Sequence, residues 1–426
     1  MQGMKSLYVF GHNPIQQDSR QDPRHNVPIL QAPSLSVLWV SWCDLIVAHS
    51  NSKHLVYHGT SLTAAQAEYI TRLPYPSPES EAPIFFGRAL DHGVLGFLTP
   101  SGKEVTIFNS DAKCRDKNTA AVATVSFQDA NFEILDIQFT SGEAAFVSLK
   151  LNRGSPDGMR TTDLDDNVIL QFPTLQNFLE FLKQDPHLLE HQMNPHRSDS
   201  SLPFRVLACP YPIQLRTNAT TLAALTSISG EVHTFSPDPR FPKCLGRHAS
   251  CTAEAEPIPY LSEIRVGKIA SGGYYTCAVS ASVSCDSHGE DGGGELFLWG
   301  QAPPGTNQEI SLLRSTVSSD DQDDFVCCVE LEIGDITAGV TDVAVGWGHV
   351  LVAVEATQGT ERKVSRTVFA AGCNGRQQLG LGGKSGTLGF LNQFTEVEIL
   401  KEKRIVQMAC SGWSSYIVTE DDDEGS

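Results

Sequence analysis

Seven times along its 426 residues the chain repeats one local event. A small residue opens a tight turn, and a short apolar run comes next. The clearest copy is "VAVGWGHVLVAV", Val343–Val354, in which Gly346 and His349 frame Trp347. The same frame places Ser41 with Asp44, Ala89 with His92, and Gly142 with Ala145. It also places Asn218 with Thr221, Gly272 with Tyr275, and Gly412 with Ser415. First positions therefore fall at 41, 89, 142, 218, 272, 346 and 412. A repeated corner constrains the fold strongly, because each unit buries its apolar strand only by stacking on the next.

The segments downstream of the corners repeat as well. An apolar strand runs into a polar turn and a second strand ending in an aromatic, as in "LAALTSISGEVHTF", "GELFLWG" and "TVFAAGCNGRQQLGLG". Alternating apolar positions between Gly, Ser and Asn turns predict antiparallel β structure. Successive corners lie 48 to 76 residues apart, longer than the ~40–45 residue period of WD repeats. The two ends complete each other. The Gly412 corner lacks its outgoing aromatic-glycine strand, and such a strand, "LYVFGHN", stands at Leu7–Asn13. Closure by both termini removes exposed strand edges. The expected fold is all-β: one seven-bladed β-propeller over residues 1–426, closed by N- and C-terminal strands.

The template of Gly-x-x-His, apolar strand, glycine turn, Trp-Gly and then "NGRQQLGLG" resembles the repeat of the regulator of chromosome condensation family. The resemblance covers most of the chain. It is strong at 263–301 and 339–382 and degenerate at 36–60 and 131–150. It implies a seven-bladed propeller. The family pattern would put histidine where Asp44, Ala145, Thr221, Tyr275 and Ser415 stand; His92 and His349 keep it. Within the family, the compact acidic chain is similar to the fungal alpha-tubulin-suppressor subgroup, essentially all propeller. That similarity implies a small zinc protein that carries electrons as partner, in Elongator-dependent tRNA wobble-uridine modification and diphthamide synthesis. The family's founding activity, guanine nucleotide exchange on a small GTPase, is the alternative. A chromatin- or microtubule-linked scaffold is a third, supported by acidic loops alone.

Charge narrows the function classes. Thirty-one basic against fifty acidic residues give a net charge of −19, a field that repels phosphate backbones and disfavours direct nucleic-acid binding. No segment approaches the ~20 apolar residues of a membrane span, and the N-terminal residues lack a signal-peptide core. Eleven irregularly spaced cysteines do not read as a disulfide framework. The expected setting is cytoplasmic, with a nuclear pool, and the expected state is a monomeric propeller. Asn218-Ala219-Thr220 matches a glycosylation sequon without an evident secretion route.

Not every residue is blade. Residues 152–205 read as an insertion in which Leu175, Phe178, Leu179 and Leu182 recur at helical spacing, with Thr174 as N-cap and Pro186 as break. The stretches "SASVSCDSHGEDGGGE" and "SSDDQDD" read as solvated loops, and 420–426 as an acidic tail.

Chemical motifs are weak. Gly383-Lys384-Ser385 mimics a phosphate loop, but Gln378 stands where its first glycine should be. Cys327–Cys328 and Cys244/Cys251 lack the paired spacing of structural zinc, and His12, His25, His49, His54 and His58 are scattered. No nucleophile elbow is present, and no particular Cys–His pair is singled out. No catalytic, cofactor-binding or metal-ligating residue is expected. Aromatic residues at the corners stand out instead: Trp42, Trp347 and Trp413 share one slot, with Tyr274 in a fourth corner. Corners 346, 412 and 41 are consecutive round a closed ring, so their indoles should meet near one rim. Large aromatics on turns anchor protein interfaces, and they can equally plug a channel. His92, Gly272, Gly346, His349 and Gly412 are expected to be structural corner residues.

Overall fold

Apolar runs separated by small-residue turns pair here with their sequence neighbours, strand after strand, into seven antiparallel sheets arranged as blades around an axis. The computed structural model describes residues 3–15, 27–76, 81–90, 93–108, 121–151, 167–184, 202–238, 240–250, 254–281, 293–314, 325–358, 363–382 and 388–421. The inner strands of blades 1 to 7 are Leu35–Val40, Ile84–Arg88, Phe132–Phe139, Pro212–Thr217, Val266–Gly272, Gly339–Val345 and Arg404–Ser411. Each contacts its two neighbours, and the seventh contacts the first, so the ring is closed.

Burial explains the layering. The second strand of each blade is sandwiched between adjacent sheets and reads as a near-continuous apolar run. Asp44–His49, Gly93–Leu98 and Leu222–Thr226 are buried almost throughout. Each fully buried Val or Leu contributes about 1.5–3 kcal/mol relative to exposure. Inner strands alternate instead, since one face lines the axis. All seven pairings of inner and second strand contain a register shift. In six blades the extra residue lies on the inner strand: Leu38, Leu135, Ile213, Gly267, Thr341 and Val406. Bulges bend and twist a strand locally, and this one recurs around the ring.

Closure uses two strands from each end. Lys5–Gly11 pairs with Ser414–Glu420 along its whole length, from Lys5↔Glu420 to Gly11↔Ser414. Leu30–Ala32 adds the outer strand, so blade 7 runs outward as Arg404–Ser411, Ser414–Glu420, Lys5–Gly11 and Leu30–Ala32. Blade 1 has three strands. Its outer place is taken by α1 (Ala64–Thr71), started by a Thr63–Gln66 capping box, before Leu73 and Tyr75 bond back to Leu55 and Lys53.

The expectation of an insertion at 152–205 needs correction. Asn167–Phe172 is the third strand of blade 3, and Arg205–Leu207 is its outer strand. The apolar run Val168–Leu170, with Phe172, obeys the blade pattern, so this strand is not part of an insertion. Between these strands lies α2 (Leu175–Leu182), N-capped by Thr174. Its buried face is Phe178, Phe181 and Leu182. Phe181 joins because it packs on Phe172 and Phe204, at ring distances of 5.0 and 5.7 Å. Pro186, residues 422–426 of the acidic tail, "SSDDQDD" and most of the 280–295 loop lie outside the described residues. Among the described residues, no helix is long and apolar enough to cross a membrane.

Phe10, fully buried on the closing strand against Leu379, Met408 and Ile417, tests this closure. Phe10→Ala should destabilise the whole chain by about 3–5 kcal/mol, measured by denaturant unfolding. A loss below about 1 kcal/mol would mean that the closing strand is peripheral.

Candidate functional site

All seven turns from inner to second strand emerge at one mouth of the ring, here called the corner face. Blade 6 shows why Gly-x-x-His recurs there. The Gly346 N–H donates to His349 O at 2.9 Å, closing the turn. The imidazole then folds over Gly346, where an added Cβ would lie 2.1 Å from the ring. Its Nε2 is 3.0 Å from Ser415 Oγ of blade 7, whose hydroxyl donates to Gln378 O at 2.8 Å. His349 is therefore an inter-blade clamp. Burial pushes its pKa down to about 4.

Other residues hold the equivalent junctions between other blades by different chemistry. Asp44, fully buried, accepts from Ser41 Oγ, Tyr57 Oη and Ser61, and from the Val94 N–H of blade 2 at 3.1 Å. Asn218 accepts from the Thr220 and Thr221 N–H groups and donates to Thr276 Oγ1 of blade 5. The sequon nitrogen is thus buried and bonded, which places it out of reach of glycosylation. His92 lies outside the described residues, as do Gly383-Lys384-Ser385 and His25.

Backbone bonds tie the corners to one another. The Trp42 N–H donates to Ala89 O at 2.9 Å, Ala219 to Gly273 O at 2.6 Å, and Trp347 to Gly412 O at 2.8 Å. Gly412 has a φ of +54° and sits so close that a Cβ would lie 2.7 Å from Trp42 Cβ, so glycine is required there.

These registers correct two expected frames. Ser411 pairs with Ser414, and Thr140 bonds Ala144, so the corners of blades 7 and 3 open at 411 and 140, not at Gly412 and Gly142. The aromatic slot accordingly splits. Trp42 and Trp347 occupy the second corner position, whereas Tyr274 and Trp413 occupy the third. The reason is turn geometry: positive φ falls on the second residue in Gly273 and Gly412 and on the third in Gly348.

The four aromatics nevertheless share the corner face. Tyr274 meets Trp347 edge-on at 5.7 Å and Phe241 at 5.4 Å. Arg240 lies 5.4 Å over the Phe241 ring and pairs with Asp238 at 2.7 Å. Trp413 is 39% exposed, the largest exposed ring among the described residues. Trp42, half-buried, stands 6.4 Å from His12. An arc from Arg240 through Trp42 thus spans blades 4 to 7 and blade 1. Trp347 also forms part of the wall of a cavity of about 130 Å³ at the corner end of the axis. Phe241 and Arg240 were not foreseen; both lie on the long loop after the third strand of blade 4.

A second belt, also unforeseen, runs inside the ring. Asp136 accepts from Leu215 N, Gln214 from Ile269 N at 3.1 Å, and Asp342 from Met408 N at 3.0 Å. Lys268 pairs with Asp342, and Gln407 both accepts from and donates to the Val37 backbone. Each of these side chains stands four residues before its corner's first position, a spacing that is visible once the frames are right.

Burial raises the pKa of Cys43 to about 11 and of Cys209, Cys244 and Cys410 to about 12, which favours the inert protonated form. Among the described residues no group of three His, Cys, Asp or Glu is placed to hold a metal ion.

A Regulator of chromosome condensation (RCC1) repeat model matches residues 367–418. The structure of Prp20p from Saccharomyces cerevisiae superposes with a TM-score of 0.56 at 13% identity, covering 100% of this chain and 93% of that one. Yeast RCC1 (Prp20) in its complex with Kap60 gives 0.57 at 10% identity, covering 99% and 90%. No curated protein sequence matches. The fold is that of a seven-bladed RCC1-type propeller.

His349 yields a pH test. Its folded pKa of about 4 lies below the ordinary 6.5. The neutral ring is therefore fully compatible with folding above pH 6.5, and stability is lost as pH falls from 6.5 towards 4. The loss amounts to about 3 kcal/mol at most. In His349→Gln this part of the acid limb should vanish, so wild-type and variant unfolding free energies should converge across that window. Parallel pH curves would contradict the assignment.

Proposed function

We propose that the chain is a non-enzymatic propeller adaptor that docks a protein partner on its corner face. The observation that carries this reading is the aromatic arc of Trp42, Tyr274, Trp347 and Trp413, which tight turns hold on a rigid ring. Interface hot spots are typically Trp, Tyr and Arg, pre-positioned so that little ordering entropy is lost on binding. The cysteine environments add weight, since burial favours the protonated form of Cys43, Cys209, Cys244 and Cys410.

The finer reading names the partner. The similarity to the alpha-tubulin-suppressor subgroup points to a small zinc-containing electron carrier, serving tRNA wobble-uridine modification and diphthamide synthesis in the cytoplasm, with a nuclear pool. A second reading is guanine nucleotide exchange on a small GTPase. Its support is the fold shared with Prp20p, a protein described as binding Gsp1p and histones.

Affinity capture from native extract with tagged wild type and a Trp347→Ala/Trp413→Ala double variant separates these readings. Because Trp413 is exposed and Trp347 half-buried, the variant should stay folded. It should lose at least about 2 kcal/mol of partner affinity. Recovery of the zinc protein by wild type alone supports the adaptor. Recovery of a GTPase whose nucleotide release the purified chain accelerates supports exchange. Equal recovery by both proteins removes the corner face as the docking site.

A further inference from the structure

We propose that the axial channel binds a small amphipathic anion, a carboxylate carried on an apolar body, whose charged end is held by Arg216 and Lys268. The channel encloses about 770 Å³ and is walled by residues of all seven inner strands. That volume lies within the roughly 300–1,000 Å³ of small-ligand sites. Nothing in the corner-face reading requires it.

Charge is the first argument. In a protein of net charge −19, the channel wall carries two cations, Arg216 and Lys268, against one carboxylate, Asp136. Both cations have acidic partners, Asp136 and Asp342, yet exposure is unequal. The Arg216 and Lys268 side chains are each 38% exposed, whereas Asp136 and Asp342 are 16% and 14% exposed. The carboxylates are covered, and each cation keeps an open flank. Arg216 and Lys268 also stand on adjacent inner strands, whose alignment is fixed by the Ile269 N–H donating to Gln214. Arg216 leans towards Asp136 of blade 3 and Lys268 towards Asp342 of blade 6, so each offers its open flank to a carboxylate in the channel as a charge-assisted hydrogen-bond donor.

Apolar surface is the second argument, and it selects an amphipathic ligand over an inorganic ion. Leu38, Leu135 and Ile213, the extra residues of three bulges, line the channel together with Ile84 and Trp39. Ile213 is 57% exposed and Ile84 41% exposed, unusual for residues of this size. A hydrated phosphate would leave this surface wet, whereas an alkyl or aryl body would cover it. Two sources share the chemistry: a free small carboxylate, or the chain-terminal carboxylate of an apolar peptide.

The full-length chain is titrated with anilinonaphthalene sulfonate, an aryl anion, and the dye is then displaced with octanoate or with an apolar tetrapeptide bearing a free C-terminus. Octanol, the amidated tetrapeptide and inorganic phosphate are the counterparts. Saturable binding is expected, with the neutral counterparts and phosphate at least about tenfold weaker than the matching acid. Two variants guard against misfolding. Asp136→Asn/Arg216→Gln removes both charges of the ion pair while leaving a polar side chain at each position, and Ile213→Glu leaves both ion pairs intact. Each should weaken dye and acid binding about tenfold while unfolding remains cooperative. Displacement by octanoate alone assigns a free ligand, and displacement by the acid peptide alone assigns a partner's terminus. Equal potency of acid and neutral forms, equal potency of phosphate, unchanged affinity in both variants, or no saturable binding would overturn the proposal.

Discussion

The register between Lys5–Gly11 and Ser414–Glu420 is the interaction on which the rest depends. Until the two ends pair, the stack of blades has open edges, and neither the first nor the last apolar sheet is covered on both sides. Once paired, each blade is packed against two others, and weak sequences elsewhere are held by their neighbours. Blade 1 is a case in point. It lacks a regular outer strand and substitutes a helix, yet its second strand from Asp44 to His49 is among the most buried in the chain. Two belts then fix the angle between blades. One is the set of corner bonds that includes Trp347 N–H to Gly412 O; the other is the inner set that includes Asp342 to Met408 N.

The fold was readable because its determinants are local and repeated. Turn glycines, alternating strands and complementary ends each occupy a few adjacent residues, so blade number and closure could be counted. What escaped was non-local or depended on backbone geometry. Trp413 and Trp347 look equivalent when a motif is aligned on its tryptophan. The pairing of Ser411 with Ser414 shows that they differ by one turn position, because the left-handed residue comes earlier in that turn. In the same way, Phe181 belongs to the buried face of α2 only because Phe172 and Phe204 converge on it from two strands. The polar belt of Asp136, Gln214, Lys268, Asp342 and Gln407 mixes acid, amide and base. No residue type repeats throughout it, although the role does.

The candidate docking site was legible in part for the same reason. Indoles on neighbouring corners could be placed on one rim from the sequence alone. Their exposure could not, and exposure decides what a ring is able to do. Trp347 both walls the axial cavity and reaches the surface, so plugging and docking are not alternatives at that position. Trp413 has the larger free surface. The clamp residues beneath them, His349 and Asp44, serve stability. They differ in chemistry because a buried inter-blade junction needs satisfied hydrogen bonds rather than one particular side chain.

On the proposed reading, structural and functional roles coincide at the corners: the turns that lock one blade to the next also carry the rings that face solvent. Backbone hydrogen exchange of the full chain, alone and saturated with its captured protein partner, tests this most directly. Added protection is expected at the corner turns, residues 42–44, 273–275, 346–349 and 411–414, with the opposite mouth unchanged. Protection confined to the opposite mouth, at turns such as Ser227–Glu231, with the corners unaffected, would contradict the account.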